Sequence, residues 1–210
     1  MQSPPATTPL YFSKVLVWDA PTRVCHWLLA VCFAGAYWTA DQDDWEAVHA
    51  TLGYTTCGLA IFRIVWGFIG TRYVRFYGSI QGPAAIARYM VQMQHGWGKR
   101  YIGYSPLSAM IVPAFLLLVL VLGATGWMVF SAQSSASIAR FHESAAYTTL
   151  VFVGLHIVCV VFSSWRSGEN LLLAMVTGTK LGAPSEAIDR TWRSVALLIV
   201  AAVAVFWVLK

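Results

Sequence analysis

Five long, nearly uncharged apolar runs dominate this chain of 210 residues. They fall at about 23–40, 49–67, 108–130, 141–165 and 194–209. Runs of this length have no place in a small soluble domain, because a core of that size cannot bury so many all-round apolar helices. A lipid bilayer can, and a helix of about 20 apolar residues spans its hydrocarbon layer. With 58% hydrophobic and only 11% charged residues, the composition agrees. The fold expected is an all-α integral membrane protein: four transmembrane helices in a bundle, with a fifth C-terminal transmembrane helix. Trp18, Trp38, Trp45, Trp127, Trp165 and Trp192 lie near the span ends, where an interfacial aromatic belt is expected.

The basic residues orient the spans. Lys14 and Arg23 precede the first. Arg72, Arg75, Arg88, Lys99 and Arg100 separate the second from the third, and Arg166, Lys180, Arg190 and Arg193 separate the fourth from the fifth. The opposite side carries Asp41, Asp43, Asp44 and Glu46 in one loop, and Arg140 is the lone basic residue of the other. The positive-inside rule then places the N-terminus in the cytoplasm and the C-terminus outside, in a bacterial inner membrane. This bias accounts for the net charge of +5, which is no argument for nucleic acid. The N-terminal stretch has no apolar core of a signal peptide, so the first span is expected to be a retained anchor. Residues 1–14 read as a mobile segment, 15–180 as the functional core, and 181–210 as a linker with the last helix. Residues 83–94 read as an amphipathic helix on the cytoplasmic face, and ENLLLAMVTG as a second interfacial stretch.

Four histidines lie inside these spans. His26 is near the start of the first, His49 at the start of the second, and His142 and His156 are in the fourth. The last two are fourteen residues apart, so they share one helix face about 21 Å apart along the axis. Alternating span direction puts His26 and His156 at one depth and His49 and His142 at another. A single intramembrane histidine can serve as an interhelical hydrogen bond. Four that pair off at two depths fit two stacked bis-histidine sites better, and haem is the cofactor that suits such sites. His95, in a loop without a partner at its depth, reads as a solvated residue.

The four cysteines, Cys25, Cys32, Cys57 and Cys159, form no C-x-x-C-H attachment motif, so two non-covalent haems b are expected. On the His49 stripe, Gly53, Thr56 and Ala60 leave room for a macrocycle edge, although small residues also serve plain helix packing. Arg63 is fourteen residues beyond His49, on the same face at the depth of the cytoplasmic pair. It is a candidate for a haem propionate, with snorkelling to the membrane surface as the competing reading. Arg23, three residues before His26, is likewise on the ligand face, a candidate for a propionate or simply a mark of the positive-inside end.

The stretches VWDAPTRVCHWLL, HATLGYTTCGLAIFRIVWGFIGTRYVRF and NLLLAMVTGTK, with the His142/His156 helix between them, resemble the bacterial di-haem cytochrome b561 family. That family includes the cytochrome b subunits of nickel–iron hydrogenases. The likeness covers about residues 15–180, and its R-x-x-H-W and H-x-x-x-G entries to the first two spans are specific in combination. It implies that His26, His49, His142 and His156 are axial haem ligands. The WD-x-P-x-R-x-x-HW form is most similar to members that occur with periplasmic c-type cytochromes. Members are typically four-helix cores, so the resemblance does not account for the fifth span.

The function expected is electron transfer between the quinone pool and a periplasmic redox partner, either a c-type cytochrome or a hydrogenase. Superoxide oxidation coupled to quinone reduction is the alternative within that class. A histidine-based metal transporter or a passive membrane anchor subunit is the alternative outside it. A transporter would be expected to place carboxylates or thiolates beside its imidazoles.

Overall fold

A computed structural model describes residues 12–77, 82–95, 101–131 and 135–210. Strand β1 (Ser13–Leu16) leads into α1 (Ala20–Thr39), and a 3₁₀ turn at Asp43–Trp45 joins α1 to α2 (Glu46–Ile69). After α3 (Pro83–His95) come α4 (Pro106–Phe130), α5 (Ala136–Ser167), the short α6 (Leu171–Thr177), strand β2 (Thr179–Gly182) and α7 (Arg193–Val208). Helix α3 coincides with the amphipathic segment read from the sequence, and α6 with the second interfacial stretch. His95 is the last residue of α3, and its side chain lies outside the described residues.

The helix ends follow local chemistry. Asp19 caps α1, its carboxylate accepting from the Thr22 amide at 2.9 Å, and Pro21 follows in the first turn. Ser105 and Pro106 do the same for α4. Asn170 caps α6, which ends at Gly178 in the left-handed conformation (φ +83°). A Cβ on Gly178 would also lie 2.7 Å from the Trp18 carbonyl oxygen, so both backbone conformation and space require glycine there.

Among the described residues three helices are long and apolar enough to cross a membrane: Asp43–Ile69, counting the 3₁₀ turn, Pro106–Phe130 and Ala136–Ser167. The chain is thus a multi-pass membrane protein. Helix α7 is apolar but only 16 residues long, and α1 has the length but carries polar residues, Arg23 and His26 among them. The helices pack in the order α7–α1–α2–α4–α5. Cys25 and Leu29 of α1, Leu59 and Ala60 of α2, Leu116 and Val119 of α4 and Ile199 of α7 meet in one buried cluster. Helix α5 packs along α4 and touches α6, without extensive backbone contact to α1 or α2.

The helical fold expected from the sequence is present, with one addition and one correction. A two-stranded ribbon accompanies the helices: β1 and β2 pair antiparallel, with Ser13 opposite Gly182 and Leu16 opposite Thr179. The boundaries expected at 14/15 and 180/181 both fall inside this ribbon, which ties the segment before α1 to the linker before α7. Trp18 is also no belt residue. It is buried at the ribbon end of the bundle, 5.1 Å from the Tyr104 ring, in a second cluster with Val15, Val17, Trp66, Val74, Ile102 and Ala174. The other five tryptophans of the expected belt are exposed. This second cluster and the ribbon form a cap over one end of the bundle. Lys180, buried in the cap, pairs with Glu169 at 3.2 Å and donates to the Tyr101 carbonyl.

Candidate cofactor site

The four histidines meet in two pairs. At the cap end, His26 of α1 faces His156 of α5, with ring centroids 6.4 Å apart. At the opposite end, His49 of α2 faces His142 of α5, again at 6.4 Å. At that separation neither pair is hydrogen-bonded, so neither acts as glue between helices. One metal ion between two imidazoles needs two metal–nitrogen bonds of about 2 Å plus two ring radii, or about 6 Å between centroids. The observed spacing meets that requirement at both ends. The pairs bridge the helices whose backbones do not pack together, α5 on one side and α1 and α2 on the other.

The surrounding hydrogen bonds set the tautomers. His49 Nδ1–H donates to the Ala36 carbonyl at 2.8 Å. Thr125 donates its own hydroxyl hydrogen to the Val121 carbonyl, so its oxygen is free to accept from His142 Nδ1–H at 2.9 Å. Both rings therefore keep Nε2 as a lone-pair donor, the arrangement in which a hydrogen bond at Nδ1 orients a metal-ligating imidazole. A Cβ at Gly126 would lie 3.0 Å from His142 Cε1, so that ring depends on a glycine opposite it on α4. Gly53, one turn beyond His49, has no heavy atom within 4 Å of where its Cβ would be, leaving space beside the pair. At the cap end, Trp27 sets its edge against the His26 ring at 5.2 Å, and His26 Nδ1 is buried without a partner.

Arg63 is 5% exposed and does not snorkel. Its Nη2 donates to the Tyr104 hydroxyl at 2.7 Å and the Val74 carbonyl at 3.3 Å, its guanidinium lies over the Phe76 ring, and its Nη1 is buried with no partner among the described residues. Arg23 turns the other way. Its Nη1 donates to the Val176 carbonyl in the last turn of α6, where a cation also meets the negative end of the helix dipole, and its Nε is buried unpartnered. Gly178 leaves the room that the Arg23 guanidinium occupies.

Sequence reasoning missed three contributors. Asp19, fully buried, accepts from Trp66 Nε1 at 3.0 Å and from the Thr71 hydroxyl at 2.7 Å besides capping α1. Its position before a proline-led helix start was a legible capping signal, but its partners on and beyond α2 were not. Thr125 and Tyr104 had no sequence signal, since each acquires its role from another helix.

The donor set suits haem better than a metal ion held by protein alone. Among the described residues no three of His, Cys, Asp and Glu come together, and the imidazoles occur strictly in twos. Transported or structural ions need more ligands than that, whereas a haem iron needs only two axial ones from the protein. All four cysteines are free thiols.

Comparison with known proteins agrees with this reading. The sequence model of the prokaryotic cytochrome b561 family matches residues 17–178. A probable Ni/Fe-hydrogenase B-type cytochrome subunit of Rhizobium leguminosarum bv. viciae is 24% identical, over 80% of this chain and 89% of its own. Proteins of the same description from Rhodobacter capsulatus and Bradyrhizobium diazoefficiens are each 22% identical, over 79% of this chain and 81% and 85% of theirs. No solved structure matches. With the match spanning all four histidines and α6, the chain belongs to the prokaryotic cytochrome b561 family and is a membrane electron-transfer cytochrome of the haem b type.

Proposed function

We propose that this protein carries two non-covalent haems b, one between His26 and His156 and one between His49 and His142, and relays electrons between the quinone pool and a periplasmic redox protein. The observation that carries the reading is the common 6.4 Å ring separation of the two pairs, each of which brings one imidazole from α5. A haem with both axial positions filled supplies one-electron transfer and is closed to oxygen and substrates. The chain's own residues set the conditions. Ala36 and Thr125 hold the ligand tautomers at one end. Arg63 and Arg23 offer buried N–H groups to the propionates at the other.

On this reading α1 and α7 join the three long helices to complete a four-plus-one bundle in the bacterial inner membrane. The cap and the N-terminus lie in the cytoplasm, following the basic loops. Quinone exchanges electrons from the lipid phase. The periplasmic partner is a hydrogenase, as the names of the relatives suggest, or a c-type cytochrome. The arrangement of imidazoles in twos favours this over metal transport.

The purified protein is expected to release its haem into acidic acetone and to give about two haems per chain in a pyridine haemochrome assay. One haem per chain, or haem that stays with the polypeptide, would overturn the assignment. Arg63→Gln is expected to lower the midpoint potential of the cap-end haem, or its retention, and to leave the other haem unchanged, because a buried cation stabilises nearby propionates. Arg63→Lys should rescue only in part, lacking the planar fork that grips a carboxylate. Separate potentiometric titration of the two haems decides it. An unchanged cap-end haem would assign Arg63 to the Tyr104 and Val74 contacts alone.

A further inference from the structure

Arg63 is not the only unsatisfied donor at its depth. Helices α1 and α2 run antiparallel, and their register is set where the Cys25 thiol meets the Leu59 carbonyl at 3.4 Å. One turn toward the cap carries α2 from Leu59 to Arg63 and α1 from Cys25 to Thr22, so Thr22 and Arg63 lie at about the same level, about 6 Å along the axis from His26. Thr22 is 3% exposed, and its hydroxyl, like Arg63 Nη1, is buried without a hydrogen-bond partner among the described residues. Tyr104 meets Arg63 there. Its oxygen accepts from Arg63 Nη2, and among the described residues its own hydroxyl hydrogen has no acceptor.

Each buried polar group left unpaired costs about 1–3 kcal/mol, and a buried guanidinium left without an anion costs more. Asp19, the nearest carboxylate along α1, is committed to Thr22 N, Trp66 and Thr71. What the site lacks is an acceptor carrying negative charge.

We propose that Thr22, Arg63 and Tyr104 form a three-donor carboxylate pocket one helical turn from His26, and that it holds a propionate of the haem between His26 and His156. The inference rests on the di-haem reading and adds two hydroxyl donors to it. A carboxylate receives the charged Nη1–H of Arg63 together with the neutral O–H groups of Thr22 and Tyr104. Losing a neutral donor leaves more negative charge near the iron and disfavours the reduced state.

Thr22→Val and Tyr104→Phe remove the hydroxyls with little change in volume. The test uses holoprotein whose haem is labelled with ¹³C in the propionate carboxyls. It records the redox-difference infrared spectrum and the midpoint potential of each haem. In both variants the labelled carboxylate band of the cap-end haem is expected to shift. Its reduction equilibrium constant is expected to fall about fivefold to tenfold, tenfold being about 59 mV for one electron, and the other haem is expected to stay unchanged. An unshifted labelled band in either variant overturns the three-donor pocket. A shift confined to unlabelled bands overturns it too, because the anion would then be a lipid headgroup or a free ion. Failure of the di-haem reading looks different: the unsubstituted protein would carry one haem per chain, or His156→Ala would retain both, whatever the hydroxyl variants did.

Discussion

His156→Ala is expected to abolish the cap-end haem and spare the other, and His142→Ala to do the reverse. The two residues lie on one face of α5, fourteen positions and about 21 Å apart, and each faces a different helix, α1 or α2. Losing one axial imidazole leaves the iron with a single protein ligand in a gap that backbone packing does not close. Haem content should therefore fall from about two to about one per chain, with one redox transition missing. Helix α5 itself should persist, because its buried residues Ala145 and Thr149 are untouched in both variants, and His142→Ala gives up only the Thr125 hydrogen bond to α4. Potentiometric titration of each variant reads the result directly. Loss of both haems from either variant would point to a collapsed bundle or one shared site, and retention of both would reject the ligand assignment.

Asp19→Ala is expected to destabilise the cap end by about 3–5 kcal/mol. The substitution strips the N-cap from α1 and leaves Trp66 Nε1 and the Thr71 hydroxyl buried without an acceptor, each such group costing about 1–3 kcal/mol. Asp19 joins the start of α1 to the end of α2 and the turn beyond it, only seven residues before His26. The cap-end haem should consequently be released at a lower temperature than the other one. Thermal melts in detergent, followed by helical circular dichroism and by the Soret band, measure both effects. Asp19→Asn should recover part of the loss, since an amide oxygen can still cap α1. A melting profile unchanged in Asp19→Ala would show that the junction contributes nothing to holding α1 in place.

The depth of each histidine was legible because helical rise is constant. Once the spans and their alternation were read, His26 could meet only His156, and His49 only His142. The Arg63 stripe was legible for the same reason, as Gly53, Thr56, Ala60 and Arg63 follow His49 at helical spacing. Trp18 shows where such counting stops. Its place beside a span suggested an interfacial belt, yet the ribbon and the residues after α2 fold over it and bury it. The ribbon itself joins segments separated by nearly the whole chain, and neither four-residue strand has enough pattern to announce its partner.

By itself, then, the sequence determined the membrane class, the helical periodicity and the two depths at which imidazoles can pair, because hydrophobic run length and rise per residue are local properties. Only the tertiary structure decided that α5 stands off from α1 and α2, that Ala36 and Thr125 set the imidazole tautomers, and that Tyr104 pairs with Arg63. Those are contacts between distant segments, and they depend on how whole helices pack rather than on any spacing along one of them.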